Sequence, residues 1–210
     1  MKNVRWIKLA LFFICLIPVA RLGLQFYHDD LGANPLEFIT HATGDWTIRF
    51  ILITLAITPL RKLLKQPWLI QLRKMLGLYA FFYGTLHLFT YLWFDKQFVF
   101  ADMLDDVLKR KFITAGMVAF VLMIPLALTS TTWAIRKLGG KRWQALHRLI
   151  YVTGIAAVIH YIWLVKADLR LPLMYAGILA VLLGYRVVEW AKKRVAAGKS
   201  KVKSTAMARP

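Results

Sequence analysis

Three histidines of this chain stand in long apolar stretches. His87 lies within L-Y-A-F-F-Y-G-T-L-H-L-F-T-Y, while His147 and His160 lie at the start and near the end of a second stretch. An imidazole buried in hydrocarbon without a partner costs about 2–7 kcal/mol. Haem iron is a suitable partner, because it binds the neutral nitrogen of imidazole. The histidines therefore predict a haem protein that carries electrons within a membrane.

The composition indicates an integral membrane protein. Hydrophobic residues make up 59% of the 210 residues and occur in long blocks, which in a soluble fold would leave very large exposed apolar patches. The net charge of +19 comes from 29 basic residues that cluster at the ends of these blocks. Cytoplasmic loops and anionic headgroups require that distribution, so we expect contact with membrane lipid and no nucleic-acid partner. The single cysteine, Cys15, excludes an internal disulfide.

Six apolar segments predict an all-α bundle of six transmembrane helices, since a bilayer requires about 20 helical residues. They lie at residues 6–27, 45–60, 75–94, 112–132, 146–165 and 171–190. The second is short and must draw on residues before Trp46. We read the first as an uncleaved span, because Arg21 stands where a signal peptide requires small residues. Residues 1–190 then form one haem-carrying transmembrane domain, and the basic tail 191–210 is expected to be disordered and bound to the membrane surface.

Loop charge predicts the orientation of the bundle. The first connection contains four acidic residues and no Lys or Arg, whereas the second and fourth connections are basic. By the positive-inside rule, the second and fourth loops and both termini are cytoplasmic.

Two of the histidines are expected at one depth. His87 lies 12 residues after Met75, about 18 Å along a helix, and His160 lies 14 residues after Leu146, about 21 Å. Both spans run from cytoplasm to periplasm, so the two imidazoles can ligate one haem from its two faces. Small residues beside them leave space for a porphyrin and aromatic residues border it, namely Gly84, Ala156, Ala157, Tyr83, Tyr91 and Trp163. The alternative is that the imidazoles only hydrogen-bond between helices.

His147 is harder to pair. It lies 13 residues before His160, a turn of about 220° on an ideal helix, so the two share a face only if the helix rewinds locally, for instance at Gly154. A second haem at this cytoplasmic end would need an unusual second ligand. A flavin or quinone site is equally compatible. Its anionic groups would face the basic residues Arg73, Lys74 and Arg148.

Arg21 and Arg49 lie within the periplasmic ends of the first two spans, where a charge is costly. They can pair with haem propionates, as arginine does with carboxylates, or extend to the lipid headgroups. His28 and His41 lie in the first periplasmic loop, where an ordinary solvated role is expected.

Several segments resemble the MsrQ (YedZ) family of the ferric-reductase-like transmembrane group. They are H-A-T-G at 41–44, L-I-T-L-A-I-T-P-L-R at 52–61, R-K-M-L-G-L-Y-A-F-F-Y-G-T-L-H at 73–87, L-A-L-T-S at 126–130, K-L-G-G-K-R-W-Q-A-L-H-R-L-I-Y at 137–151 and H-Y at 160–161. The likeness extends over roughly residues 5–190. MsrQ proteins are the haem-binding membrane subunits of the MsrPQ protein-methionine-sulfoxide reductase system.

The resemblance implies a multi-pass protein of a bacterial inner membrane that carries b-type haem, either one or two, and FMN. Its partner would be MsrP, a periplasmic molybdopterin enzyme that repairs oxidised methionine in envelope proteins. Its donor would be the quinone pool or a cytosolic flavin reductase. The family's haem-binding histidines match His87, His147 and His160. The chain lacks the second histidine in the third span and the fused flavin domain of NADPH-oxidase-type relatives.

We therefore expect electron transfer from the cytoplasmic side to a periplasmic reductase, with His87 and His160 as axial ligands and His147 serving an inner cofactor. The chain would be an electron-transfer subunit rather than a catalytic one, because the haem does the redox chemistry and the protein sets its ligation and burial. Two alternatives stay open. One is a stand-alone membrane ferric or quinone oxidoreductase, and the other is a haem-free transporter or scaffold.

Alanine substitution separates the three histidines. We expect His87→Ala and His160→Ala each to lose most of the haem, because each removes one of two axial ligands, and His147→Ala to lose part or none. The measurement is the haem-to-protein ratio of each purified variant. Equal and complete loss in all three variants would contradict the depth argument.

Overall fold

The computed structural model describes the backbone of residues 2–165 and 167–207 and the side chains of residues 4–94, 96–165 and 167–197. This part of the chain is helical and contains no strand. Its α-helices are, in order, α1 (Lys2–Tyr27), α2 (Pro35–Leu63), α3 (Arg73–Thr90), α4 (Phe100–Lys109), α5 (Lys111–Leu128), α6 (Thr132–Leu138), α7 (Gly140–Leu146), α8 (Leu149–Leu164) and α9 (Arg170–Met207). A 3₁₀ helix, Pro67–Leu72, leads into α3, and a π-helical turn, Tyr91–Asp95, follows it.

The helices confirm a multi-pass membrane protein. Five helical segments of the described chain are long and apolar enough to cross a bilayer, namely Val4–Tyr27, Pro67–Phe94, Lys111–Leu128, Gly140–Leu164 and Arg170–Ala197. They correspond to five of the six predicted spans. Helix α2 corresponds to the remaining one and begins at Pro35 rather than at residue 45, which gives it 29 residues. The count of six membrane-crossing helices stays a prediction, as does the orientation.

We name the two ends of the bundle after the predicted orientation. The outer end is the one at which α2 and α5 begin and α3 and α8 end. The inner end is the opposite one, which carries the basic second and fourth loops.

Helix α2 lies at the centre of the bundle, in contact with α3, α8 and α9. Its residues Ile51 and Leu55 are fully buried. Phe50 stacks on Tyr79 and Tyr83 of α3, with ring centres 5.6 and 5.3 Å apart. Because α2 packs against three other helices, its inward face can carry ionisable side chains that a lipid-facing surface excludes.

Helix α1 is attached to α3 through a tyrosine hydroxyl. Its outward face exposes Phe13 and Ile17, as a lipid-facing surface does. The hydroxyl of Tyr83 donates to the carbonyl of Cys15 at 2.8 Å and accepts from the N–H of Val19 at 3.2 Å. These two backbone groups are four residues apart in α1, so one hydroxyl bonds both ends of the same helical turn. Tyr83 therefore holds α1 and does not border the histidines, which corrects the sequence prediction.

The fifth predicted span, 146–165, begins at a break between two helices. Helix α7 ends at Leu146, His147 and Arg148 form the turn, and α8 makes up nearly all of the rest of the span. Gly154 lies within α8, where a Cβ would stand 3.2 Å from Cδ1 of Leu179. Its physical role is close packing of α8 against α9 rather than rewinding of the helix.

Other helices differ from the prediction as well. Helices α4 and α6 occupy connections that the sequence predicts as loops, and with 10 and 7 residues both are too short to cross a bilayer. Helix α9 continues to Met207, so residues 191–207 of the tail are helical where disorder was expected, while 208–210 lie outside the described residues. The tail is rich in Ala, Lys and Arg, which have high helix propensity.

Pro59 leaves one backbone carbonyl of α2 without its helical partner. Proline has no N–H and cannot donate to the carbonyl of Leu55, four residues earlier. Arg186 of α9 donates to this oxygen at 2.5 Å and to the carbonyl of Leu182 at 2.7 Å. Its guanidinium also lies over the ring of Tyr151, 5.2 Å from the centroid. Arg186 therefore satisfies backbone groups inside the bundle.

We expect Arg186→Gln to lower the free energy of unfolding by about 1–3 kcal/mol, because it leaves a buried acceptor unsatisfied. Pro59→Ala restores an N–H four residues after Leu55 and should reduce that loss in the double variant. The measurement is the free energy of unfolding, in mixed detergent micelles, of the wild type, the two single variants and the double variant. An equal cost of Arg186→Gln with proline and with alanine at position 59 would show that the two residues are not coupled.

Candidate functional site

A cavity of about 250 Å³ lies between α2, α3, α5 and α8 at the outer end of the bundle. Its walls are mostly apolar and include Ile51, Met117 and Phe120. His87, near the end of α3, and His160, near the end of α8, both line it. A mostly apolar cavity with a few converging polar groups is typical of a cofactor site.

The two imidazole rings are neighbours in this cavity. Their centroids are 6.0 Å apart and their planes are inclined by 78°. Both side chains are partly buried. The structure thus brings together His87 and His160, the two histidines that the helix rise placed at one depth.

A backbone carbonyl fixes the tautomer of each ring. Nδ1 of His87 lies 2.9 Å from the carbonyl oxygen of Thr40, and Nδ1 of His160 lies 2.7 Å from that of Phe112. A carbonyl oxygen can only accept, so each Nδ1 carries the proton and donates it. In the neutral imidazole the other nitrogen, Nε2, then keeps its lone pair. Both histidines are therefore prepared to bind a metal through Nε2.

A glycine lies against each of the two rings. A Cβ at Gly44 would stand 3.0 Å from Cε1 of His87, and a Cβ at Gly116 would stand 2.8 Å from Nδ1 of His160. Each glycine comes four residues after the residue whose carbonyl accepts the ring proton. Side chains on a helix point toward its N-terminus, so a larger residue at these positions would cover that carbonyl. The glycines therefore keep the carbonyls accessible to the imidazoles.

Arg49, predicted to meet propionates, is engaged elsewhere. Its Nη2 donates to Oδ2 of Asp45 at 3.0 Å and its Nε donates to the hydroxyl of Tyr175 at 2.9 Å. The guanidinium also lies over the ring of Trp46, 4.9 Å from the centroid. Asp45 lines the cavity, and Arg49 stands behind it as its counter-ion. Arg21, the other arginine in that prediction, is exposed on α1.

The remaining residues predicted beside the histidines are divided between the cavity and its surroundings. Three of them line the cavity, namely Gly84, Tyr91 and Ala157. Ala156 is buried outside the lining, and Trp163 is half exposed on the outer surface of α8. His41, expected in solvent, is exposed and also lines the cavity.

His147 lies at the inner end, where it has no histidine partner, although all five histidines belong to the described part of the chain. Its Nε2 is 2.9 Å from the hydroxyl oxygen of Thr129. That hydroxyl donates to the carbonyl of Pro125 at 2.6 Å, so the imidazole must be the donor and its Nδ1 keeps the lone pair. Trp143 stacks on the ring with centroids 4.0 Å apart.

The basic residues predicted near His147 are separated. Arg73 lies near both His147 and Tyr151. Lys74 faces a groove between α1 and α3 instead, and Arg148 is exposed. The inner end thus combines one histidine and one arginine with a tyrosine and a tryptophan.

Sequence reasoning missed several residues of the outer site. A glycine inside a helix costs about 1 kcal/mol relative to alanine, so Gly44 and Gly116 indicated that another group packs closely against the helix. The carbonyls of Thr40 and Phe112 could not be predicted, because every residue has a backbone carbonyl. Arg110, which also lines the cavity, stood in a connection of mixed charge and was not singled out.

Comparison with known proteins identifies the class. The family described as "Ferric reductase like transmembrane component" matches residues 43–158, a segment that contains His87 and His147 and ends just before His160. The chain is therefore a ferric-reductase-like transmembrane protein.

Relatives over nearly the whole chain define the family more narrowly. They bear the name "Protein-methionine-sulfoxide reductase heme-binding subunit MsrQ". The Herminiimonas arsenicoxydans protein is 55% identical over 89% of this chain and 87% of its own length. Those of Azospira oryzae and Bordetella pertussis are 53% and 52% identical, over 87% and 91% of this chain and 79% and 93% of their own lengths. The chain belongs to the MsrQ family.

Proposed function

We propose that this chain binds a b-type haem between His87 and His160 and passes electrons through it across the membrane. The observation that carries the proposal is the pair of neighbouring imidazoles whose tautomers leave both Nε2 lone pairs available in one cavity. The names of the MsrQ relatives, which specify a heme-binding subunit, support it.

The spacing of the rings and the ligand set fit haem. A metal–imidazole bond is about 2 Å long and the ring centre lies about 1 Å beyond the nitrogen, so two imidazoles on one metal have centres about 6 Å apart. The observed separation is 6.0 Å. Among the described residues no three His, Cys, Asp or Glu side chains could hold a metal ion, so the other ligands must come from a non-protein group such as a porphyrin.

The residues of the site favour electron transfer over substrate chemistry. A haem with two histidine ligands supplies a one-electron centre without an open coordination position. The carbonyls of Thr40 and Phe112 orient the imidazoles and strengthen them as ligands. The walls of the cavity are mostly apolar, which disfavours water beside the haem. This arrangement is less suited to a reductase that binds a small substrate at its iron.

At the inner end, the proposal is a flavin or quinone site rather than a second haem. His147 has no facing histidine, and its Nε2 is engaged by Thr129. Arg73 supplies a positive charge for an anionic group, and Trp143 supplies an aromatic surface. FMN, assigned to the family, is a candidate occupant, and the position of this cluster suits a cofactor that receives electrons at the inner side.

The partners follow from the family. The names of the relatives place them in a protein-methionine-sulfoxide reductase. We propose that the electrons go to MsrP, the periplasmic molybdopterin enzyme that repairs oxidised methionine, and come from the quinone pool or a cytosolic flavin reductase. The membrane would be the bacterial inner membrane, with both termini in the cytoplasm.

Reoxidation of the chemically reduced, purified protein tests this function. We expect sharp reduced Soret and α bands that decay rapidly when MsrP and methionine sulfoxide are added together, and slowly with MsrP alone. The absence of the bands would support a haem-free scaffold. Equally rapid decay with a ferric chelate and no protein partner would support a stand-alone ferric reductase instead.

The glycines offer a test of the ligand geometry. Gly44→Ala and Gly116→Ala place a Cβ within 3.0 and 2.8 Å of the rings of His87 and His160, so a ring or a helix must shift. We expect each to weaken haem binding by about 1–3 kcal/mol, the usual cost of overpacking, and to alter the low-spin electron paramagnetic resonance signal. Gly177→Ala on α9 is the control, because its Cβ would meet nothing within 4 Å. Wild-type affinity and signal in both test variants would contradict the proposed geometry.

A further inference from the structure

We infer that Arg110 binds the carboxylates of the haem at the outer mouth of the cavity. The inference rests on the proposed function, since it assumes a haem between His87 and His160. It gives Arg110 the role that the sequence suggested for Arg49.

The charges that line the cavity favour Arg110. Among the described lining residues, the carboxylate and the guanidinium belong to Asp45 and Arg110. Asp45 pairs with Arg49 at 3.0 Å and lies beside Tyr161. Its negative charge disfavours the two carboxylates of a haem, because like charges repel. Arg110 carries the opposite charge and stands where α5 begins, at the positive end of that helix.

The guanidinium of Arg110 has donors available for a ligand. Its Nε lies 3.4 Å from Oδ1 of Asp106, which is longer than an ordinary charged hydrogen bond, and its side chain is 51% exposed. Among the described residues, no other ion pair involves Arg110. A guanidinium has five N–H donors and binds carboxylates through two parallel hydrogen bonds. The Nη groups therefore remain for a carboxylate in the cavity.

Asp106 does not require Arg110 as its counter-ion. Nζ of Lys96 lies 2.6 Å from Oδ2 of Asp106, and the hydroxyl of Tyr91 donates to the same oxygen at 3.2 Å. The hydrogen bond from Lys96 is the largest cause that holds the pKa of the Asp106 carboxyl below its ordinary value. Asp106 is thus ionised and already neutralised, and its contact with Arg110 serves to keep the arginine beside the cavity.

This position also suggests where electrons leave the protein. Arg110 lies at the outer end and is half exposed, so a haem edge held by it would be close to the outer surface. A periplasmic acceptor would then approach the haem from the side of α4 and the start of α5.

The test compares Arg110→Gln with Lys109→Gln, which makes the same charge change one residue away at a side chain that is 73% exposed and pairs with Asp105. Each full-length protein is stripped of haem and reconstituted with haem or with its dimethyl ester, which lacks the carboxylate charges. The measurement is the rate of haem transfer to excess apomyoglobin. Arg110→Lys serves as the conservative variant.

We expect Arg110→Gln to release haem about tenfold faster than the wild type, the usual effect of losing a charged hydrogen bond. Arg110→Lys should release it at an intermediate rate, and Lys109→Gln at the wild-type rate. With the dimethyl ester, the wild type and Arg110→Gln should release it equally fast, because no carboxylate remains for the arginine to bind. A purely structural role of Arg110 would give the same ratio with both haems.

The inference is overturned if Arg110→Gln retains haem as the wild type does, or if the variant's effect is the same for the ester. That outcome differs from failure of the proposed function. If His87→Ala and His160→Ala still bind haem normally, the proposed ligation is wrong. If these two variants lose haem while Arg110→Gln is unaffected, only the role of Arg110 is wrong.

Discussion

The hydrogen bond from a histidine Nδ1 to a helix carbonyl is the interaction on which the outer site depends. In an apolar bundle a neutral imidazole has one donor and one acceptor, and each needs a partner. The carbonyl of Thr40 or of Phe112 accepts the Nδ1 proton through a lone pair that is additional to its helical bond. The donor is then satisfied within the protein, and the acceptor nitrogen, Nε2, is the one left for a metal. The protein itself therefore determines which nitrogen of each ring is protonated and which keeps its lone pair.

The same device occurs twice, on helices with no evident sequence similarity. On α2 the accepting carbonyl is followed four residues later by Gly44, and on α5 it is followed four residues later by Gly116. The spacing is a consequence of helix geometry, since the side chain at i+4 leans over the carbonyl at i. An imidazole that approaches from a neighbouring helix therefore requires a glycine at that position. The parallel arises from a shared physical requirement, and a search for repeated sequence does not detect it.

Sequence reasoning located the helices and the level of the two histidines, because both follow from hydrophobic length and from the rise per residue. It did not find which polar groups meet. The contacts of Arg49 depend on how α2 is rotated about its axis. The contact of Arg110 depends on α4, which is too short to be predicted as a span. The break between α7 and α8 was not predicted either, because the polar pair His147 and Arg148 fits the cytoplasmic end of a continuous helix as well as it fits a turn. Backbone acceptors have no sequence signature at all.

The arginines of the bundle show why a buried charge needs its contacts before it can be assigned a function. An ionisable residue at membrane depth is a functional candidate by default. Here Arg186 is occupied by the carbonyls of Leu55 and Leu182, and the first of these is available because Pro59 has no N–H. Arg49 is occupied by Asp45 and Tyr175. Both are explained by the protein alone.

Arg73 and Arg110 are different. Among the described residues, no carboxylate forms an ion pair with Arg73. Arg110 contacts Asp106 at 3.4 Å, and that carboxylate already pairs with Lys96 at 2.6 Å. Arg73 stands at the inner end beside His147, and Arg110 stands at the outer end beside the His87–His160 cavity. At each place an anionic group of a cofactor would neutralise the arginine.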